Sequence, residues 1–247
     1  MSGGDLIPVL LLTLLSLSFA AGGTVVLFVV YLVRKGPVSA PRSVEALSHS
    51  DEDAGALAQP RPSTWLVILG RSLRDVQMAL RLHNPKSCPC AEGLNGEQGI
   101  FIAPPSGRWT LVTGWGLPEP GDDIDFCFRF IQRLSLRLGT VQYFSSDRMK
   151  HHHAWVWCER GRVIRAYAWI GYTAWNQGLE TSAERCLGVR CLPYSAPTEP
   201  GLSDEFAVIN AEKVPVLASR WGADPATIFD ALREPACGVA GDPFPLD

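Results

Sequence analysis

HHAWVWCERGRVIRAYAWI, residues 152–170, decides the fold class. Two runs of alternating residues, His152 to Cys158 and Arg162 to Ile170, flank Glu159-Arg160-Gly161. Period-two alternation rich in aromatic and β-branched residues, around a short glycine-bearing turn, predicts an antiparallel hairpin. A three-residue loop with a glycine bulge sets Cys158 opposite Arg162. It gives one small apolar face of Ala154, Val156, Ile164, Ala166, Ala168 and Ile170. The other face then carries His151, His153, Trp155, Trp157, Arg165, Tyr167 and Trp169. Trp155 and Arg165 fall directly opposite on it, in position for guanidinium-on-indole stacking. A two-residue turn would scramble both faces, so the bulged loop is preferred.

Upstream, Thr140 to Phe144 reads as a further strand. It follows a helix over Asp122 to Leu138, where Ile124, Cys127, Phe128, Ile131, Leu134 and Leu138 recur at helical spacing. Asp122, Asp123 and Asp125 crowd the helix start and Arg133 and Arg137 lie near its end, each complementing the dipole; Gly139 stops it. Further back are an apolar strand from Trp65 to Leu69 and a helix capped by Ser72 through Leu82, with Asp75 completing a capping box. After a loop holding Pro85, Pro89 and Gly93, two strands follow, Gly99 to Ala103 and Trp109 to Gly114, joined by a turn at Pro104-Pro105-Ser106-Gly107. Downstream, a proline-rich loop leads to three helices, Asp204 to Glu212, Pro215 to Trp221 and Pro225 to Leu232. The sum is an α+β domain, a mainly antiparallel sheet packed with helices on one face.

The N-terminus is of another kind. Ile7 to Val33 holds no charged residue, and as a helix would run about 40 Å, enough to span a bilayer with tilt. The residues before it carry Asp5 and no Lys or Arg, unlike a cleaved leader. Arg34 and Lys35 close the run on its C-terminal side, so the positive-inside rule predicts a single-pass anchor in the cell membrane with the following domain cytoplasmic. Gly36 to Ser63, rich in Pro, Ser and Ala, reads as a disordered tether, leaving the folded domain at 64–247. Seven cysteines, an odd number in a chain of 247 residues, fit a reducing compartment. A net charge of −3 excludes a domain-wide nucleic-acid footprint, and no nucleic-acid partner is expected.

Three blocks resemble a bacterial family of uncharacterised proteins: Phe101-Ile102-Ala103-Pro104-Pro105 with Gly107 to Val112, Val141-Gln142-Tyr143-Phe144, and His152-His153-Ala154-Trp155 with Arg165-Ala166-Tyr167-Ala168. The resemblance covers roughly Trp65 to Ile228 and leaves the apolar N-terminus outside. It implies a domain boundary near Trp65 and a bacterial origin, and no activity, cofactor or catalytic residue.

Metal and DNA chemistry find little footing. On a strand His151 and His153 point together while His152 points away, so at most two could share an ion. Cys88-Pro89-Cys90 spaces its thiols more tightly than zinc knuckles do, and no second pair is well placed. Pro215 to Leu232 has the rhythm of a helix-turn-helix, yet its second helix offers Thr227 and Asp230 where phosphate donors are needed. There is no phosphate-binding glycine loop, no G-x-S-x-G elbow and no H-E-x-x-H. No metal and no cofactor are therefore expected. The leading expectation is a membrane-anchored binding module for a protein or small molecule, using His151, His153, Trp155, Arg165, Tyr167 and Trp169. The plain alternative is that another part of the domain covers this face. A hydrolase-like enzyme with a His/Asp acid–base pair, assembled from Asp147, His151 or His153 and Tyr143, is the second functional reading.

Overall fold

The computed structural model describes residues 62–194, 202–232 and 236–243, all within the unit that runs from Leu57 to Asp247. The apolar run Ile7 to Val33 and residues 36–61 of the expected tether lie outside the described residues. Among the described residues no helix is long and apolar enough to cross a membrane.

The fold is α+β, and one antiparallel sheet organises it. Strand β1 (Thr64–Leu69) leads to α1 (Leu73–Leu80), β2 (His83–Pro89), the single turn α2 (Cys90–Gly93), β3 (Ile100–Ile102) and β4 (Trp109–Thr113). Helix α3 (Ile124–Leu138) then precedes the meander β5 (Thr140–Asp147), β6 (His152–Glu159), β7 (Arg162–Trp169) and β8 (Thr173–Gln177). Helices α4 (Ser182–Leu187), α5 (Leu202–Arg220) and α6 (Pro225–Ala231) follow, and β9 (Cys237–Asp242) returns to the sheet. The spatial order is β2-β9-β3-β4-β1-β5-β6-β7-β8.

Helices cover both faces of this sheet, which corrects the expectation of one. Leu66 and Ile68 of β1 pack with Val141, Tyr143, Ala154 and Val156 beneath α1 and α3, through Val76, Cys127, Ile131, Leu134 and Leu138. Trp65 and Val67, from the same strand, pack with Phe144, Trp155 and Tyr167 beneath α5 and α6, through Phe206, Val214, Leu217 and Ile228. The physical reason lies in β1 itself: Trp-Leu-Val-Ile has no polar alternation, so a strand made of it is stable only when both faces are dry. The capping box of Ser72 and Asp75 forms as its sequence predicts, whereas α3 starts at Ile124 and not at Asp122, because the Asp123 side chain accepts the Phe126 amide and caps the helix there.

The hairpin keeps its two faces by a different route from the one expected. Glu159 pairs with Arg162, so the turn is the two residues Arg160 and Gly161, with φ of 48° and 80°. Left-handed values at both central positions suit a tight hairpin turn and follow the strand twist. The extra residue sits one step further on: Trp157 pairs with Arg165 and Cys158 with Val163, leaving Ile164 unpaired and 37 % exposed. That bulge restores the alternation upstream of it. Trp155 therefore lies opposite Tyr167, not Arg165, and Ile164 leaves the apolar face.

Two other differences have local causes. Helix α5 runs through Pro215 where a break is expected. The proline has no N–H for the Ala211 carbonyl one turn back, and the Ser146 hydroxyl donates to that carbonyl instead, at 2.9 Å. Strands β2, β8 and β9 and the short helix α4 are new relative to the sequence reading. His-Asn-Pro-Lys-Ser-Cys-Pro does not alternate, but an edge strand tolerates proline where no ladder bond is required. In β9, Gly238 passes so close to β3 that a Cβ would stand 2.3 Å from the Ile102 carbonyl oxygen.

Candidate functional site

The face expected to bind is interior. His153, Trp155, Arg165, Tyr167 and Trp169 are all buried, beneath α4, α5 and the segment after α4. Trp169 meets Phe206 of α5 edge-on at 4.8 Å, and His153, Trp155 and Tyr167 pack as a triangle of rings with centres 5.6, 5.0 and 5.8 Å apart. His151 does not share this face. Its φ is 55°, in the turn before β6, so the strand begins one residue later than the expected grouping requires.

Burying an arginine requires a partner, and the structure supplies one the sequence reading lacks. Glu184 of α4 is fully buried, and its Oε1 accepts from Arg165 Nε at 2.7 Å and from Trp155 Nε1 at 2.8 Å. Its Oε2 accepts from the Thr181 amide at 2.6 Å, closing a capping box at the start of α4. The Arg165 fork is otherwise spent on the carbonyls of Ala166, Gln177 and Gly178, the Asn176 side chain and Cys191 Sγ. Tyr167 Oη accepts the Leu192 amide. Trp155 and Arg165 thus share an acceptor and do not stack; the guanidinium stands 6.0 Å from the Tyr167 ring centre instead. This network clamps α4 and the following segment onto the sheet. Thr181-Ser182-Ala183-Glu184 carried the capping-box signature in plain view, and it was the missing signal.

The proposed acid–base pair is not joined. Asp147 Oδ1 accepts the amides of Met149 and Lys150, and Oδ2 faces Lys150 Nζ at 3.3 Å. Burial pushes this carboxyl up, but the bonds from Lys150 outweigh it and hold the carboxyl below its ordinary range. Burial, reinforced by His152, pushes the His153 imidazolium down to about 3, so the ring is neutral near pH 7 and a poor base. Arg190 fixes the Asn210 amide, whose Nδ2 donates to His153 Nε2 at 3.3 Å. The ring proton then resides on Nδ1, which is buried without a partner. A crevice of about 10 Å³, room for one water, is lined by both His153 and Asp147. No hydrogen bond links the two residues among the described contacts.

A larger opening lies where β1 begins and β5 ends, against α5 and α6. It is a half-open cavity of about 410 Å³ lined by Pro62, Ser63, Trp65, Ser146, Asp147, Arg148, Ala211, Pro215, Pro225 and Phe229. The lining mixes the rings of Trp65 and Phe229 and three prolines with the polar Ser63, Ser146, Asp147 and Arg148. Pro215 and Ala211 of α5, with the Ser146 side chain bonded to the Ala211 carbonyl, all line the space. Trp65 is buried in the wall, stacked on Phe144 at 5.4 Å, and its indole N–H has no acceptor. Of these residues only Asp147 is a candidate site residue in the sequence reading, because the lining is assembled from segments far apart in the chain.

The cysteines are free thiols. Burial raises Cys88 and Cys90 above their ordinary range and pushes Cys191 up to about 12, so these remain protonated near neutrality. Among the described residues no group of three or more His, Cys, Asp or Glu side chains is placed to hold a metal ion. In comparisons with known proteins, the chain matches no family model, no curated sequence and no solved structure, so its functional reading rests on its own geometry.

Proposed function

We propose that the chain is a membrane-held, non-catalytic binding module whose ligand site is the half-open cavity between the β1/β5 ends and α5/α6. The observation that carries this reading is the cavity's size and lining. About 410 Å³ lies within the range of small-molecule sites, and an apolar wall with a few polar groups is their usual composition. His153, Trp155, Arg165, Tyr167 and Trp169 then serve the site from behind. They hold α4 and α5 on the sheet, and α5 carries one wall of the cavity. The ligand class is a compact, mostly apolar molecule with a hydrogen-bond acceptor, which the exposed Arg148 at the rim can meet. The uncharged run Ile7 to Val33, closed by Arg34 and Lys35, supports a place at the cytoplasmic face of a membrane.

Native mass spectrometry of the full chain, purified from its host in mild detergent, tests the reading. A retained small-molecule mass is expected on the wild type and its loss is expected on Ala211→Phe, which fills the cavity from the α5 side. A folded Ala211→Phe protein that keeps the same adduct, or a wild type without any, overturns it.

A further inference from the structure

The helical layer on the opposite side of the sheet carries a second surface. Arg74 on α1, Arg129, Arg133 and Arg137 on α3, Arg71 before α1 and Arg160 in the hairpin turn are all exposed. Three hydrogen bonds tie the segments that carry them together. Arg137 Nη1 donates to the Ala79 carbonyl of α1 at 3.2 Å, Arg71 Nε to the Leu138 carbonyl at 2.7 Å, and the Arg160 amide to the Gly139 carbonyl at 3.0 Å. Among the described residues the ion pairs are Lys150 with Glu119 and Asp147, and Arg165 with Glu184, so none neutralises this face. Asp75, held in its capping box by Ser72, lies near enough to Arg71 and Arg74 to offset part of their charge, and leaves Arg133, Arg137 and Arg160 uncompensated by any ion pair among the described residues. The aspartates of α3 lie at its start, at Asp123 and Asp125, the latter one turn before Arg129 and away from Arg133 and Arg137. In a chain of net charge −3 this is a segregated basic surface. Two large apolar side chains stand among the arginines, Met78 at 60 % exposure and Leu136 at 69 %.

We infer that this face docks on the anionic headgroups of a lipid bilayer, with Met78 and Leu136 entering the headgroup layer. Basic side chains around protruding apolar ones are what an interfacial surface needs, because charge attraction and apolar burial act together there. Nucleic acid would use the arginines but leave Met78 and Leu136 without a role. The inference rests on the membrane-held reading to the extent that Ile7 to Val33 keeps a bilayer within reach. Residues 36–63 span at most roughly 95 Å of contour. Each arginine within a Debye length of an anionic surface raises partitioning roughly fivefold, and salt weakens the effect.

Phenylglyoxal footprinting of arginines tests it on the full chain in nanodiscs of phosphatidylcholine, with or without about one-third phosphatidylglycerol. Labelling of Arg129, Arg133, Arg137 and Arg160 is expected to slow at least about fivefold on anionic discs only and to recover in high salt. Arg185 and Arg220, on the other side of the sheet, should label equally on both. The pair Arg129→Glu and Arg133→Glu, folded by its thermal melt, should lose the protection of Arg137 and Arg160. Equal labelling on both discs overturns the inference. So does protection by added single-stranded RNA on neutral discs without protection by anionic lipid. Failure to co-elute with neutral discs would count against the anchor alone, and the footprint against anionic discs would still decide the docking face.

Discussion

Replacing Glu184 by leucine is expected to unfold α4 from the sheet at a large cost, because Arg165 is left charged and dry. Arg165 is 1 % exposed and loses its one anionic partner among the described residues, at 2.7 Å, so water cannot compensate without opening the core. Trp155 Nε1 and the Thr181 amide lose their acceptors in the same step. Removing one member of a buried ion pair costs about 3–5 kcal/mol, which in a domain of this size lowers Tm by roughly 6–20 °C. Arg165→Met strands the carboxylate in turn, at a similar cost. The double variant Arg165→Met with Glu184→Leu has no stranded charge. It should therefore be at least about 2 kcal/mol more stable than the sum of the singles predicts. Urea denaturation of the full chain, followed by tryptophan fluorescence, reads all four corners of this cycle, since Trp155 sits on the acceptor itself. Additivity within about 0.5 kcal/mol would refute the claim that the pair, and not the packing around it, clamps α4.

Other outcomes follow from the same geometry. The His153 imidazolium is held at about 3 in the fold against an ordinary 6.5, so the unfolded chain takes up the proton first. Its contribution is fully present above pH 6.5 and lost as pH falls toward 3, at roughly 1 kcal/mol per unit. Urea midpoints from pH 7 to pH 4.5 should drop more steeply in the wild type than in His153→Gln, and parallel curves would contradict this. Ser146→Ala leaves the Ala211 carbonyl without its donor beside Pro215 and should cost about 1–2 kcal/mol by urea titration; a neutral result would mean that water serves as well. The bulge predicts unequal tolerance on one strand. Ile164→Thr should shift stability by under about 0.5 kcal/mol and Ala166→Thr, fully buried, by more than about 2, with the reverse order refuting the register.

Local chemistry was legible wherever it was sufficient by itself. The helix ending at Leu138 with aspartates at its start, the capping box at Ser72, the strand at Trp65 and the hairpin follow from spacing and end signals, which depend on neighbours in the chain. The α+β class and the composition of the His153–Trp169 face were fixed at that level too. Three things waited on tertiary structure. Whether that face meets water depended on Glu184, nineteen residues beyond Arg165, arriving above it. The prolines of β2 and the glycines of β9 make strands only by pairing with each other across about 150 residues of chain. The cavity exists because Trp65, Ser146, Pro215 and Phe229 converge from four elements. Periodicity records which side of an element is apolar. What covers that side is decided by long-range packing, which no local pattern encodes.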